Sequence, residues 1–201
     1  MGNRPILASS SPRRYEMLTR MGLDVEVVPR EIEESPAPGE SPRDHVIRLA
    51  RAKAFDVGNR YPDRWVIGAD TIVYINGAIL GKPKAREEAF EMLSLLSGRE
   101  HQVLTGFSVC HLKKGKVDQD AVQTVVKVKS LTHEEIEWYI STEEPFDKAG
   151  AYAIQGIGSF MIESIHGSYS NVVGLPLCEL IQMMTRLGAL EIHQCKLKIV
   201  N

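Results

Sequence analysis

Apolar residues along this chain recur at two periods, and the switches between them mark out its elements. Ile6, Leu7 and Ala8 are the end of a short apolar strand, and Ser11-Pro12 then opens a helix. Serine is a favoured N-cap, and proline suits the first helical position because its missing N–H has no helical partner to lose. Leu18 and Met21 share one face of that helix, and Gly22 is its stop. Residues 29–42, rich in Pro and Glu, read as a loop. Ser41-Pro42 start a second helix that carries Val46, Leu49, Ala50 and Ala54 at helical spacing. Residues 65–80 read as a strand, a break at Gly68, another strand and a hairpin turn at Asn76-Gly77. An amphipathic helix follows over 85–97 and stops at Gly98.

Two alternating segments, HQVLTGFSVCHL (101–112) and AVQTVVKVKSL (121–131), flank the turn KKGK and read as a long hairpin. THEEIEWYIST carries Thr132 with Glu135 three positions on, a capping box at the start of a helix. Residues 148–169 are Gly-rich and strand-like, and a last helix runs from 176 to 187. Helices and strands mix throughout, and the two hairpins require antiparallel pairs. The expected fold class is therefore α/β, with a mixed twisted sheet and flanking helices. A length of 201 residues suits one domain spanning the chain.

Composition narrows the function more than the fold. With 43% apolar and 25% charged residues, the chain is ordinary for a globular protein. Its net charge of −2 gives no long-range attraction to nucleic acid. No apolar run approaches the roughly 20 residues that span a bilayer, and the N-terminus does not read as a signal peptide, so a cytoplasmic protein without a membrane partner is expected. Cys110, Cys178 and Cys195 are widely spaced without a C-x-x-C, which argues against a disulfide framework and a zinc ribbon. HEEIE at 133 lacks the second histidine of a zinc-protease helix.

Two familiar nucleotide fingerprints fail. GAILGKP (77–83) has three residues between its glycines and a proline where Ser or Thr should hold magnesium, and GIGSFM misses the G-x-G-x-x-G spacing. What remains is a set of charges at breaks in structure. Arg13 and Arg14 sit in a first helical turn, at the positive end of the dipole, where a cation is disfavoured by roughly 0.3–1 kcal/mol. Either they are surface arginines that tolerate that cost, or an anion fills the gap between them. Asp70 follows the apolar VIGA and can cap a turn or point into a cleft. Lys82 lies in a Gly-Lys-Pro loop, solvated or turned to a ligand. Glu33 and Glu34 either decorate an acidic loop or ligate a cation, and Lys53, within a helix, means little as a lone charge. Asp147 and Lys148 precede a segment of little bulk that a ligand could approach closely. Gln155 is a neutral amide in apolar company, fit to read the edge of a base or to satisfy backbone groups. Together the cations suit a polyphosphate, the carboxylates suit Mg²⁺ or Mn²⁺ and water activation, and the amide with Thr71 suits a base.

The motifs SSSPRR, GADTIV, LGKP, LTGFSV, EPFDKAGAYAIQG and GSYSNVVGLP, in order from residue 6 to 188, closely resemble the Maf family of nucleoside triphosphate pyrophosphatases, historically linked to septum formation. The resemblance implies hydrolysis between the α and β phosphates, giving a nucleoside monophosphate and pyrophosphate with a divalent cation, Mg²⁺ or Mn²⁺. It implies Asp70 as proton acceptor, and Arg13, Thr71 and Gln155 as the residues that shape substrate choice. Ser11, Arg14, Lys53, Lys82 and Lys148 would line the pocket, and Glu34, Asp70 and Asp147 would hold the metal. The GADT branch prefers dTTP and UTP, including modified pyrimidines, whereas a sister branch acting on 7-methyl-GTP differs at the Thr71 position. The family fold is two-lobed around a deep cleft, and its members often form homodimers. A non-catalytic nucleotide sensor, and a phosphatase or kinase acting on the terminal phosphate, are the rival functions. His166 departs from the Asp or Asn frequent in relatives, and the tail after Gly188 matches no motif.

Overall fold

The turn chemistry decides where the chain reverses, and a pair of glycines decides how its longest helix packs. The computed structural model describes residues 4–30, 32–193 and 196–200. In chain order its elements are β1 (Ile6–Ala8), α1 (Pro12–Arg20), β2 (Glu26–Val27), α2 (Pro42–Arg60), β3 (Val66–Ile75), β4 (Ala78–Leu80), α3 (Arg86–Leu96), β5 (Glu100–His111), β6 (Lys116–Val128), α4 (His133–Ser141), β7 (Ile162–His166), α5 (Tyr169–Val173), α6 (Leu177–Leu187), β8 (Leu190–His193) and β9 (Lys196–Ile199). The main sheet has the order β2-β1-β3-β5-β6-β7, with β4 paired to β3. Strand β1 is parallel to β2 and β3, while β3–β4 and β6–β7 are antiparallel. The mixed α/β sheet expected from the sequence is the sheet observed.

The chain forms two compact units: Met1–Asp70 with Thr105–Ala121 and Gly174–Asn201, and Thr71–Leu104 with Val122–Val173. In the first, Ile6, Ala8, Ala54, Val57, Val66 and Cys110 make one buried cluster. Burial pushes the Cys110 thiol up to about 11, so it is inert packing. Cys178 is a free, exposed thiol, and Cys195 lies outside the described residues. Helix α2 crosses the sheet at two glycines. A Cβ at Gly68 would stand 2.2 Å from the Ala50 carbonyl oxygen, and one at Gly106 would stand 2.2 Å from that of Val46. In the second unit, Val73, Leu93, Leu96, Val126, Tyr139 and Met161 belong to the buried cluster under α3 and α4.

Two expectations are corrected. Gly68 is no break: β3 runs without interruption from Val66 to Ile75, and Asp70 lies inside it. The glycine is there because backbone meets backbone at that point, which any side chain would forbid. Residues 148–169 are also less strand-like than their composition. Only β7 is a strand, and 3-10 turns at Glu144–Asp147, Ala149–Ala151 and Ile157–Met161 come first. Positive φ at Gly150, Ala151 and Gly156 keeps that stretch out of extended pairing. Elsewhere the punctuation holds. Asn76 and Gly77 both take positive φ, as a two-residue hairpin turn of this twist needs, and the Thr132–Glu135 capping box is formed in full. The tail after Gly188 adds the β8–β9 hairpin, and the Val200 carbonyl accepts the Trp65 indole N–H at 2.8 Å.

The close packing predicts its own test. Gly68→Ala should destabilise the fold by about 1–3 kcal/mol, the usual cost of overpacking a filled interior, read as a lower denaturation midpoint with an unchanged slope. An unchanged midpoint would show that α2 moves aside freely.

Candidate active site

In the first unit the site is built where β1 ends and β3 continues. Ala8 pairs with Gly68 in the parallel register, so Ser9 and the start of α1 lie beside Ala69 and Asp70. The crevice at the carboxyl ends of parallel strands is the usual place for a ligand in α/β folds. Arg14, 8% exposed, ties this corner together. Its Nε donates to the Gly174 carbonyl at 2.8 Å, and its Nη1 donates to Ser9 Oγ and to the Ala69 carbonyl, each at 2.9 Å. Burial lowers the Arg14 pKa below the usual guanidinium value, and the Asp70 charge opposes that shift. Arg14 is therefore a brace for the strand end that carries Asp70 as well as a positive charge. Arg13, half-buried, follows Pro12 in the same first turn. Ser11 is the N-cap by position, but its side chain makes no capping bond; its N–H instead donates to Ser9 Oγ at 3.2 Å. Ser41 and Thr132, by contrast, cap with their hydroxyls.

Lys53 joins the acidic groups. It lies on the buried face of α2, and its Nζ donates to Asp70 Oδ1 at 2.6 Å and to Glu34 Oε1 at 2.7 Å. The Lys53 and Asp70 side chains are 9% and 10% exposed, whereas that of Glu34 is 59% exposed. The glycine contact at Gly68 is what lets α2 lie close enough for this reach.

The loop that carries Glu34 is held by Glu40. The Glu40 carboxylate accepts Arg48 Nε at 2.6 Å, Arg48 Nη2 at 2.8 Å and the Ala37 N–H at 3.0 Å, and Arg48 also donates to the Ser35 carbonyl. The Arg48 fork holds the Glu40 carboxyl well below the usual carboxylate range. Glu33 is exposed and accepts the Ser35 hydroxyl instead of facing the cluster. Sequence reasoning passed over Ser9, Glu40 and Arg48.

In the second unit, Thr71 is half-buried at the next position along β3. Lys82 is exposed in the loop after β4, and the Gly81 carbonyl accepts the Gly150 N–H at 2.9 Å, which sets that loop beside the Asp147–Lys148 segment. Lys148 pairs with Asp147 and donates to the Glu144 carbonyl. Gln155 is half-buried on the turn that precedes β7.

Among the described residues, no group of three or more His, Cys, Asp or Glu converges as a metal-binding set. Asp70 and Glu34 nevertheless fit a hard cation of the magnesium kind, which is commonly held by one or two carboxylates while substrate phosphates complete its shell. A buried carboxylate, fixed by an ammonium and set next to a helix start rich in cations, can orient and deprotonate a water beside a bound phosphate.

The profile of the Maf-like protein family matches residues 4–187. This chain belongs to the Maf-like family. Among its relatives, the dTTP/UTP pyrophosphatase of Geotalea uraniireducens is 54% identical over 186 residues, 92% of this chain and 96% of that one. The dTTP/UTP pyrophosphatase of Syntrophotalea carbinolica is 52% identical over 93% of this chain and 86% of that one. Among solved structures, the Staphylococcus aureus Ham1 protein superposes with a TM-score of 0.44 at 15% identity, covering 79% of each chain. Among the described residues of this Maf-like protein, no helix is long and apolar enough to cross a membrane.

Proposed function

We propose that this Maf-like protein hydrolyses dTTP and UTP between the α and β phosphates, releasing nucleoside monophosphate and pyrophosphate. The observation that carries the reading is the buried Lys53–Asp70 pair, reached by Glu34 and lying beside the Arg13–Arg14 helix start. The names of the relatives at about half identity support the same reaction and the same pyrimidines.

Each residue takes a defined part. The α1 start and Arg13 face the negative charge of the triphosphate, which relieves the cost of cations at that helix end. Arg14 holds the Ala69–Asp70 backbone in place. Lys53 fixes Asp70 Oδ1, leaving Oδ2 to take the proton of the attacking water. Glu34 and Asp70 are the carboxylates toward Mg²⁺ or Mn²⁺, which when bound would neutralise charge developing on the phosphates. Lys82 and Lys148 add positive charge for the polyphosphate, and Thr71 and Gln155 bond the pyrimidine edge. The reading extends to a cytoplasmic enzyme of the free nucleotide pool, acting on no nucleic acid.

A product assay tests it. The purified protein with Mg²⁺ or Mn²⁺ should release pyrophosphate, not phosphate, from dTTP and UTP, and a chelator should abolish turnover. Orthophosphate as the product would overturn the bond assigned. Turnover of 7-methyl-GTP in place of the pyrimidines would overturn the roles of Thr71 and Gln155. Nucleotide binding without turnover would make the protein a sensor.

A further inference from the structure

The turn that carries Gln155 is built around a carboxylate from elsewhere in the second unit. Glu144 lies in the 3-10 turn after α4, and its side chain reaches the loop of residues 156–158. Glu144 Oε2 accepts the Ile157 N–H at 3.0 Å, and Oε1 accepts the Gly158 N–H at 2.9 Å and the Tyr139 hydroxyl at 3.0 Å. Two successive backbone N–H groups and a phenol thus surround one carboxylate, as they would a small anion. Neither glycine of the turn leaves room for a side chain. A Cβ at Gly156 would stand 2.5 Å from Glu144 Oε2, and one at Gly158 would stand 2.6 Å from the Tyr139 hydroxyl. Gly156 has φ 74° and ψ −148°, a conformation that side-chain-bearing residues rarely adopt. Burial and the facing Glu144 charge both raise the Tyr139 pKa, so the phenol remains a donor.

Gln155 is bonded directly to this clamped turn: the residue after it is the glycine against which the carboxylate packs, and the next two supply the N–H donors. The Gly156 carbonyl is fixed in turn by the Ser159 hydroxyl at 2.7 Å. We propose that Glu144 is a specificity-positioning residue: it sets the backbone that aims Gln155 and so determines base preference without touching the base. The inference rests on the reading of Gln155 as a base-reading residue.

Glu144→Gln is close to isosteric but presents an amide NH₂ to one of the two N–H donors, which breaks one bond of the clamp. The ratio of kcat/KM for dTTP to that for CTP should fall about tenfold, the lower end of the range for loss of one charge-assisted hydrogen bond. Turnover of dTTP should change less than that ratio. Tyr139→Phe, which removes only the phenol hydroxyl, should shift the ratio in the same direction by about two- to threefold, and it keeps the test open should Glu144→Gln fold poorly. In the double variant Glu144→Gln/Gln155→Ala the ratio should equal that of Gln155→Ala alone, because Glu144 acts through Gln155. An unchanged ratio in folded Glu144→Gln, with Gln155→Ala altering it, would overturn the positioning role alone. An unchanged ratio in both variants would overturn the role of Gln155 itself, and absence of pyrophosphate release by the native protein would overturn the reaction.

Discussion

Asp70→Asn is expected to lower turnover on dTTP by about 10²–10⁴-fold, the range attributable to general-base assistance, while KM changes little. The asymmetry follows from where the groups lie. On the proposed reading phosphate attraction comes from the α1 start with Arg13, and from Lys82 and Lys148, which lie on other elements than Asp70. The Asn side chain keeps the volume and can still accept from Lys53 Nζ, so the local packing of a 10%-exposed group is retained. What it loses is the ability to take a proton from water, together with the negative charge that faces the cation on the proposed reading; the Glu34 carboxylate remains. Single-turnover kinetics with radiolabelled nucleotide, alongside equilibrium binding of a non-hydrolysable analogue, separate the two effects. Turnover within a few-fold of native would remove Asp70 from the chemistry and point to another base. Weakened binding with intact single-turnover rate would make Asp70 a binding group only.

The lesson of the sequence differs between fold and site. Elements marked by turn chemistry were legible, because the signal is local: Asn76-Gly77 demands its hairpin, and Thr132 with Glu135 demands its helix start. The errors came where a residue answers to a distant partner. Gly68 resembles a strand break when read along the chain, yet it is a contact with the α2 backbone more than a dozen residues earlier. The 148–169 segment looks extended by composition, but positive φ at Gly150, Ala151 and Gly156 turns it, and the distant Glu144 carboxylate holds the 156–158 turn. Among the site residues, Lys53 held an unread signal. Val46, Leu49, Ala50, Ala54 and Val57 form the apolar stripe of α2, and Lys53 falls on that same stripe. A lysine at a buried helical position needs a carboxylate partner. That argument alone would have singled it out, although it would not have chosen Asp70 over the other acids. Arg14 was legible as a charge near an anion site but not as a brace, since its acceptors are mostly backbone carbonyls that no sequence pattern marks.

Lys53→Met is the second large effect, and it falls on stability as well as rate. Methionine removes the ammonium hydrogen-bonded to the buried Asp70 carboxylate, leaving only the charge of Arg14, and more weakly that of Arg48, to act on it. Breaking a buried pair by removing one partner typically costs about 3–5 kcal/mol, whereas the lost contact with Glu34, a largely exposed group, adds at most about 1 kcal/mol. Denaturant unfolding of Lys53→Met should therefore show a loss of several kcal/mol, and turnover should fall by at least 10²-fold because Asp70 is no longer held. The double variant Lys53→Met/Asp70→Asn makes the cause visible. Removing both charges leaves no carboxylate without its ammonium, so most of the lost stability should return while the rate stays low. If the double variant were instead as unstable as the sum of the two single ones, the destabilisation would come from packing around α2 and not from a stranded charge. Recovered stability without recovered activity is the signature expected of a charge pair whose cost to folding is accepted because the carboxylate does the chemistry.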